Sequence, residues 1–231
     1  MKTIGLISGM SWESSLEYYR LINQAVKERL GGLHSARIAM YSVDFEEIEP
    51  LQRQGKWGEA ADLLVDAARR LCEAGADFLV ICTNTMHKVA DEVQERTDVP
   101  LLHIADATGE AIKAQGVTRA GLLGTRFTME QDFYKDRLAR RYGIQVIIPN
   151  ERDRQITHDI IYNELCLGEV KQTSRQQLKK IIQSLVADGA EGIILGCTEL
   201  GLLLKQRDTE VPLFDTTAIH AEAAVEFALG R

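Results

Sequence analysis

Short apolar runs, rich in β-branched residues and bounded by glycine or proline, alternate along this chain with longer segments of helical period. The runs at residues 3–8, 36–43, 77–83, 101–104, 120–124, 144–148, 192–197 and 212–214 read as strands. Segments 12–30, 57–72, 86–96, 129–142, 174–187 and 218–229 read as amphipathic helices. In the first of these, Tyr18, Leu21, Ile22, Ala25, Val26 and Leu30 share one stripe, and Gly31-Gly32 supplies a stop. Strands and helices in alternation predict βα units around a mainly parallel sheet, hence an α/β fold.

The eight strands divide into two sets of four, and the sets resemble each other. Ile4-Gly5-Leu6-Ile7-Ser8-Gly9-Met10 parallels Ala120-Gly121-Leu122-Leu123-Gly124-Thr125-Arg126, each a strand feeding a polar loop. Ala74-Gly75-Ala76-Asp77 leads to Cys82-Thr83-Asn84-Thr85, as Asp188-Gly189-Ala190-Glu191 leads to Gly196-Cys197-Thr198-Glu199. Each set closes on Val-Pro-Leu, at Val99 and Val211, then an acidic residue, Asp106 or Asp215, and an alanine-rich helix. Ordered recurrence of four landmarks argues for duplication rather than chance. The expected organisation is two pseudosymmetric parallel-sheet α/β domains, 1–116 carrying Thr83 and 117–231 carrying Cys197. The closing helix of either half is a candidate to cross to the other.

Composition adds mainly exclusions. A chain of 231 residues with 45% hydrophobic and 26% charged residues folds as a globular protein. The formal charge of -7 comes with scattered Lys and Arg, which leaves no footprint for nucleic acid. No apolar run is long enough to span a membrane, and the first run is too short for a signal peptide, so a cytoplasmic protein is expected. Cys72, Cys82, Cys166 and Cys197 lack zinc-like or C-x-x-C spacing and read as free thiols. No H-E-x-x-H, G-x-S-x-G or G-x-x-x-x-G-K-[ST] motif occurs, so no metal or nucleotide cofactor is implied.

Ligands of parallel α/β units collect at the carboxyl ends of the strands, where both matched tetrads fall. Asn84, Thr85 and Thr198 combine polar side chains with helix-start amides, which suits an anionic group such as a carboxylate; simple N-capping is the alternative. Cys197 is a candidate base or nucleophile whose pKa the helix-start amides are expected to lower, or else a packed structural thiol. Side chains alternate across a strand, so Cys82 and Thr83 face opposite ways; the alignment of halves pairs Cys197 with Thr83 and sends Cys82 inward. Cys72 and Cys166 are expected to pack. His87, just past the first tetrad, is expected to serve as a surface or supporting hydrogen-bonding group; His103 and His220 lie near the closing strands, and His34 and His158 carry no signal.

Ile7-Ser8-Gly9-Met10-Ser11, Cys82-Thr83-Asn84-Thr85-Met86-His87 and Gly196-Cys197-Thr198-Glu199-Leu200 resemble the three principal motifs of the aspartate/glutamate racemase superfamily, with a likeness that spans the chain. It is nearest the aspartate racemase-like and broad-specificity amino-acid racemase branch. The resemblance implies a substrate amino acid in a cleft between the two domains, no pyridoxal phosphate or metal, a homodimer, and two cysteines that exchange the α-proton on opposite faces. The family pattern is Cys-Asn-Thr in the first half; here Thr83 precedes Asn84-Thr85. A hydroxyl is a far weaker acid than a thiol, so Cys197 is expected to be the competent base and Thr83 to relay or donate a proton. By the same resemblance Asn84, Thr85 and Thr198 hold the α-carboxylate or amino group, Met10 and Thr125 line the cleft, and Gln52, in the polar segment after the second strand, meets the substrate side chain. The alternatives are a one-cysteine decarboxylase or cis-trans isomerase of the same superfamily, or an amino-acid-binding protein weakened in catalysis.

Overall fold

The computed structural model describes residues 1–230. Its strands are β1 (Ile4–Ser8), β2 (Ile38–Ser42), β3 (Phe78–Ile81), β4 (Leu101–Leu102), β5 (Arg119–Gly124), β6 (Gln145–Ile147), β7 (Gly192–Gly196) and β8 (Leu213–Asp215). The helices are α1 (Trp12–Leu30), α2 (Phe45–Gln54), α3 (Trp57–Glu73), α4 (Ala90–Glu95), α5 (Ile104–Ala114), α6 (Arg126–Glu130), α7 (Asp132–Tyr142), α8 (Glu151–Asn163), α9 (Gln172–Ala187), α10 (Leu200–Leu203) and α11 (Thr216–Leu229). Among the described residues, no helix is long and apolar enough to cross a membrane.

The strands form two four-stranded parallel sheets, ordered β2-β1-β3-β4 and β6-β5-β7-β8. Both therefore have the same topology, as the duplicated landmarks require. The inner strands β1, β3 and β7 are buried at every residue, whereas edge strand β2 is only partly covered. Burial on both faces explains why the inner strands read as continuous apolar runs.

The chain divides into two compact units, one of Met1–Ile104 with the segment from His220 onward, the other of Ala105–Ile219. In the first, α3 and the turn after β3 cover one sheet face around Ile7, Leu64, Leu79 and Met86. The other face packs Ile4, Leu6, Val80 and Cys82 against Tyr18 and Ile22 of α1 and Ala221, Ala224 and Val225 of α11. In the second unit, α8 and α9 cover Leu123, Ile193 and Leu195 with Ile160, Leu178 and Ile182. There α5 lies against α7 so closely that a Cβ on Gly109 would come within 2.4 Å of the Tyr142 ring, and Arg137 makes two 2.7 Å bonds to Asp106.

Several elements differ from the sequence reading. The helix expected over 129–142 is two helices, because Thr125 caps an earlier start at Arg126 and Gln131 is extended. The segment expected as helix over 86–96 opens as a 3-10 turn, Thr85–Val89, before α4. The polar segment that carries Gln52 is a helix, α2, which Asp44 caps and Gly55 ends in the left-handed conformation.

Candidate active site

In each sheet the strand order reverses beside the first strand, so crevices open at the carboxyl ends of β1 and β3 and of β5 and β7. Every candidate site residue but Gln52 falls in the segments leaving these four strands.

In the first unit, β1 ends in a turn that only glycine accommodates: Gly9 has φ +95°, and a Cβ there would stand 2.2 Å from the Val43 carbonyl. The Gly9 amide donates to Ser15 Oγ at 2.8 Å. Met10, next in the chain, is buried in the core with Ile7 and Ile48. Beside it, strand β3 runs out through Cys82 to Thr83. Cys82 is wholly buried between the sheet, α1 and α11, and burial drives its thiol far above the ordinary range. Thr83, at 9% exposure, retains some access to solvent. Asn84 stands at the head of the 3-10 turn, yet its side chain makes no capping bond there. Gln52 is buried and directs Nε2 at Met86 Sδ, 3.0 Å away.

In the second unit, β5 and β7 approach closely because both end in glycine. A Cβ on Gly124 would lie 2.9 Å from the Gly196 carbonyl, and one on Gly196 would lie 2.6 Å from Leu122. Thr125 accepts from the Thr128 amide at 3.3 Å and so caps α6. Cys197 follows Gly196 and is 8% exposed. Its Sγ donates to Glu199 Oε2 at 2.9 Å, and Thr198 Oγ1 donates to the same oxygen at 2.8 Å. Glu199 is buried, so a thiol and a hydroxyl converge on one enclosed carboxylate oxygen.

That arrangement corrects the expected low pKa of Cys197. Burial pushes the thiol well above its ordinary value, and the neighbouring Glu199 pushes it further the same way. Helix α10 offers little opposition: it has four residues, and Glu199 occupies its N-cap. The resting group is a thiol that donates a hydrogen bond to a carboxylate. In the sequence motif Glu199 stands two residues past Cys197 with nothing to mark a role for it. Its part depends on the 197–199 turn folding the carboxylate back on the cysteine, which residue spacing does not encode.

Of the remaining cysteines, Cys72 is half-buried rather than core, while Cys166, also half-buried, packs against the core of the second unit just past the end of α8. Of the two places expected for His87, the supporting hydrogen bond holds and the helix surface does not: the ring is buried and bonds the Thr83 carbonyl through Nδ1 at 2.7 Å.

Comparison with known proteins covers almost the whole chain. The profile described as Asp/Glu/Hydantoin racemase matches residues 7–224. The chain is similar to the broad specificity amino-acid racemase RacX of Bacillus subtilis, 25% identical over 96% of each chain. Among crystal structures it is similar to a candidate Asp/Glu racemase from Yersinia pestis, 58% identical, with coverage of 99% of this chain and 100% of that one and a TM-score of 0.92. An aspartate racemase homologue from Pyrococcus horikoshii is 36% identical over 99% of this chain and 100% of its own, with a TM-score of 0.86.

Proposed function

Because the chain belongs to the Asp/Glu/hydantoin racemase family, we propose that it is an amino-acid racemase that removes and returns the α-proton without a cofactor. Cys197 takes the proton from one face of Cα and Thr83 returns one to the other. The observation that carries this reading is the Cys197–Glu199 pair, a thiol hydrogen-bonded at 2.9 Å to a buried carboxylate.

A thiol held above its ordinary pKa is a poor base until its proton has somewhere to go. Glu199 supplies the place: the proton passes from Sγ to Oε2, and the thiolate so formed accepts the α-proton. The Thr83 hydroxyl gives its own proton to the opposite face of the carbanion and takes a replacement from water. The hydroxide left behind is neutralised by the surplus proton on the Cys197–Glu199 pair, and the cycle closes with no net gain or loss. Thiol and hydroxyl differ by several units of acidity, so the two directions run at unequal initial rates, although the final mixture of free enantiomers is equal.

Asn84, Thr85 and Thr198 are assigned to the α-carboxylate and amino group, with Met10 and Thr125 shaping their surroundings. The Thr198 proton is engaged with Glu199, so Thr198 meets substrate as an acceptor and serves the amino group better than the carboxylate. Gln52 is neutral and buried, which favours a substrate range reaching from aspartate and glutamate to uncharged side chains such as that of homoserine; the broad specificity of the similar racemase RacX supports this. We assign the protein to the cytoplasm, where reducing conditions keep Cys197 a thiol. A homodimer is the expected assembly: Trp12, Leu16 and Tyr19, at helical spacing on α1, form an exposed apolar row. Sedimentation at twice the 25.8 kDa chain mass is the expected result, and a monomer at micromolar concentration removes this part of the reading.

Incubation of single enantiomers of aspartate, glutamate and homoserine tests the activity. Loss of optical rotation for at least one is expected, and constant rotation for all three rejects the assignment.

A further inference from the structure

Beyond its last paired residues, strand β3 has little sheet to hold it. Its ladder to β1 ends at Ile7 and Ile81, and its ladder to β4 ends at Val80 and Leu102. Thr83 lies past both. The Cys82 amide still bonds the Ile7 carbonyl at 2.9 Å and the Cys82 carbonyl accepts from Ser14 Oγ at 3.3 Å; the next carbonyl, that of Thr83, is met by the buried ring of His87, which places Nδ1 2.7 Å from it while Nε2 stands 3.1 Å from the backbone amide of Ile104, past the end of β4. One imidazole thus bridges the exits of two neighbouring strands where the ladder has stopped.

The partners dictate the state of the ring. A carbonyl only accepts and a backbone amide only donates, so Nδ1 carries the hydrogen and Nε2 is bare. A proton on Nε2 would set one N–H against another. Two further imidazoles adjoin the bridge. The rings of His103 and His220 lie 4.5 and 5.7 Å from that of His87. His220 bonds the Leu102 carbonyl through Nε2 at 2.9 Å and the Tyr18 hydroxyl through Nδ1 at 2.8 Å. The exit of β4 is therefore tied twice, to His220 at Leu102 and to His87 at Ile104.

We propose that His87 is the positioning residue for Thr83: as the neutral Nδ1–H tautomer it fixes the peptide from which the Thr83 hydroxyl is presented. This rests on the reading that Thr83 returns the proton on its side of Cα. His87 touches no reacting atom; it acts by holding one strand exit against the next. A displacement of about 1 Å in a reacting group costs on the order of 100-fold in rate, so a bridge of this kind governs turnover while leaving substrate affinity nearly untouched.

The test separates the two faces. In deuterated water, exchange with retained configuration reports Cys197 alone, whereas inversion requires Thr83 as well. His87→Ala is expected to lower kcat for inversion by about 100-fold, with KM and retained-configuration exchange changed less than about threefold. His87→Asn keeps a donor near the Nδ1 position and is expected to restore inversion to within about tenfold; His87→Gln, whose amide reaches the Nε2 position instead, restores less. Unchanged inversion in His87→Ala, or inversion and exchange falling in equal proportion, overturns the proposal. If the alanine variant does not fold, the order of the other two decides, and greater inversion in His87→Gln than in His87→Asn overturns it. Nitrogen-15 spectra of the unsubstituted protein add an independent reading, with Nδ1 protonated and Nε2 bare expected and the reverse tautomer contradicting the bridge. Absence of all exchange in the unsubstituted protein would instead reject the racemase assignment and leave the tautomer result standing.

Discussion

A thiol that shares its proton with a buried carboxylate is both harder to ionise and better supplied with an acceptor than a lone cysteine. Glu199 opposes the thiolate through its negative charge and, in the proposed mechanism, enables it by taking the proton, and substitution separates these effects. Glu199→Gln removes the charge, so the thiol pKa falls and alkylation by iodoacetamide extends to lower pH. It also removes the acceptor, so turnover falls by about 100-fold or more. Easier alkylation together with faster turnover would contradict the role given to Glu199. At this scale the sequence was readable where strand alternation decides: Cys82 faces the core and Thr83 does not, despite the apparent claim of the first cysteine. It was unreadable where a turn decides. The Glu199 carboxylate reaches back over two residues to Sγ, and the expected low pKa of Cys197 failed because burial and that carboxylate outweigh one short helix.

Elements announce themselves in sequence when burial is periodic, and less clearly when caps do most of the work. Helix α1 has the span its apolar stripe indicates, with Tyr18, Ile22, Ala25 and Val26 buried. Helices α2 and α8 escaped notice because each buries so few residues, Ile48 and Gln52 in one and Thr157, Ile160 and Ile161 in the other. Their caps were present in the chain: Asp44 accepts from the Glu46 amide and Asn150 from the Asp153 amide, both at 3.0 Å. The meeting of α1, α11 and β4 has a consequence for pH. Burial lowers His220 from 6.5 to about 4, whereas in the unfolded chain it titrates normally. Between these values the unfolded state binds more protons, so stability is full above about pH 6.5 and declines toward pH 4, by on the order of 3 kcal/mol if His220 acts alone. Denaturant titrations across this range should show the decline, and His220→Asn should flatten it. An equally steep decline in that variant would place the acid sensitivity elsewhere.

For the whole molecule, the clearest message of the sequence was repetition, and the two sheets bear it out with one topology drawn twice. Equivalence of fold does not extend to equivalence of chemistry. One strand exit carries a thiol backed by a carboxylate, and the other carries a hydroxyl whose peptide is held by a histidine. The chain divides into units with residues of α5 from Ala105 onward in the second and the segment from His220 onward in the first. The central claim is that this unequal pair still moves a proton at Cα, with Cys197 as the base. It is tested most directly by proton NMR of a single enantiomer in deuterated water, with the unsubstituted protein and Cys197→Ser side by side. The account predicts steady loss of the α-proton signal with the unsubstituted protein and almost none with the serine variant. Equal loss with both, or none with either, would contradict it.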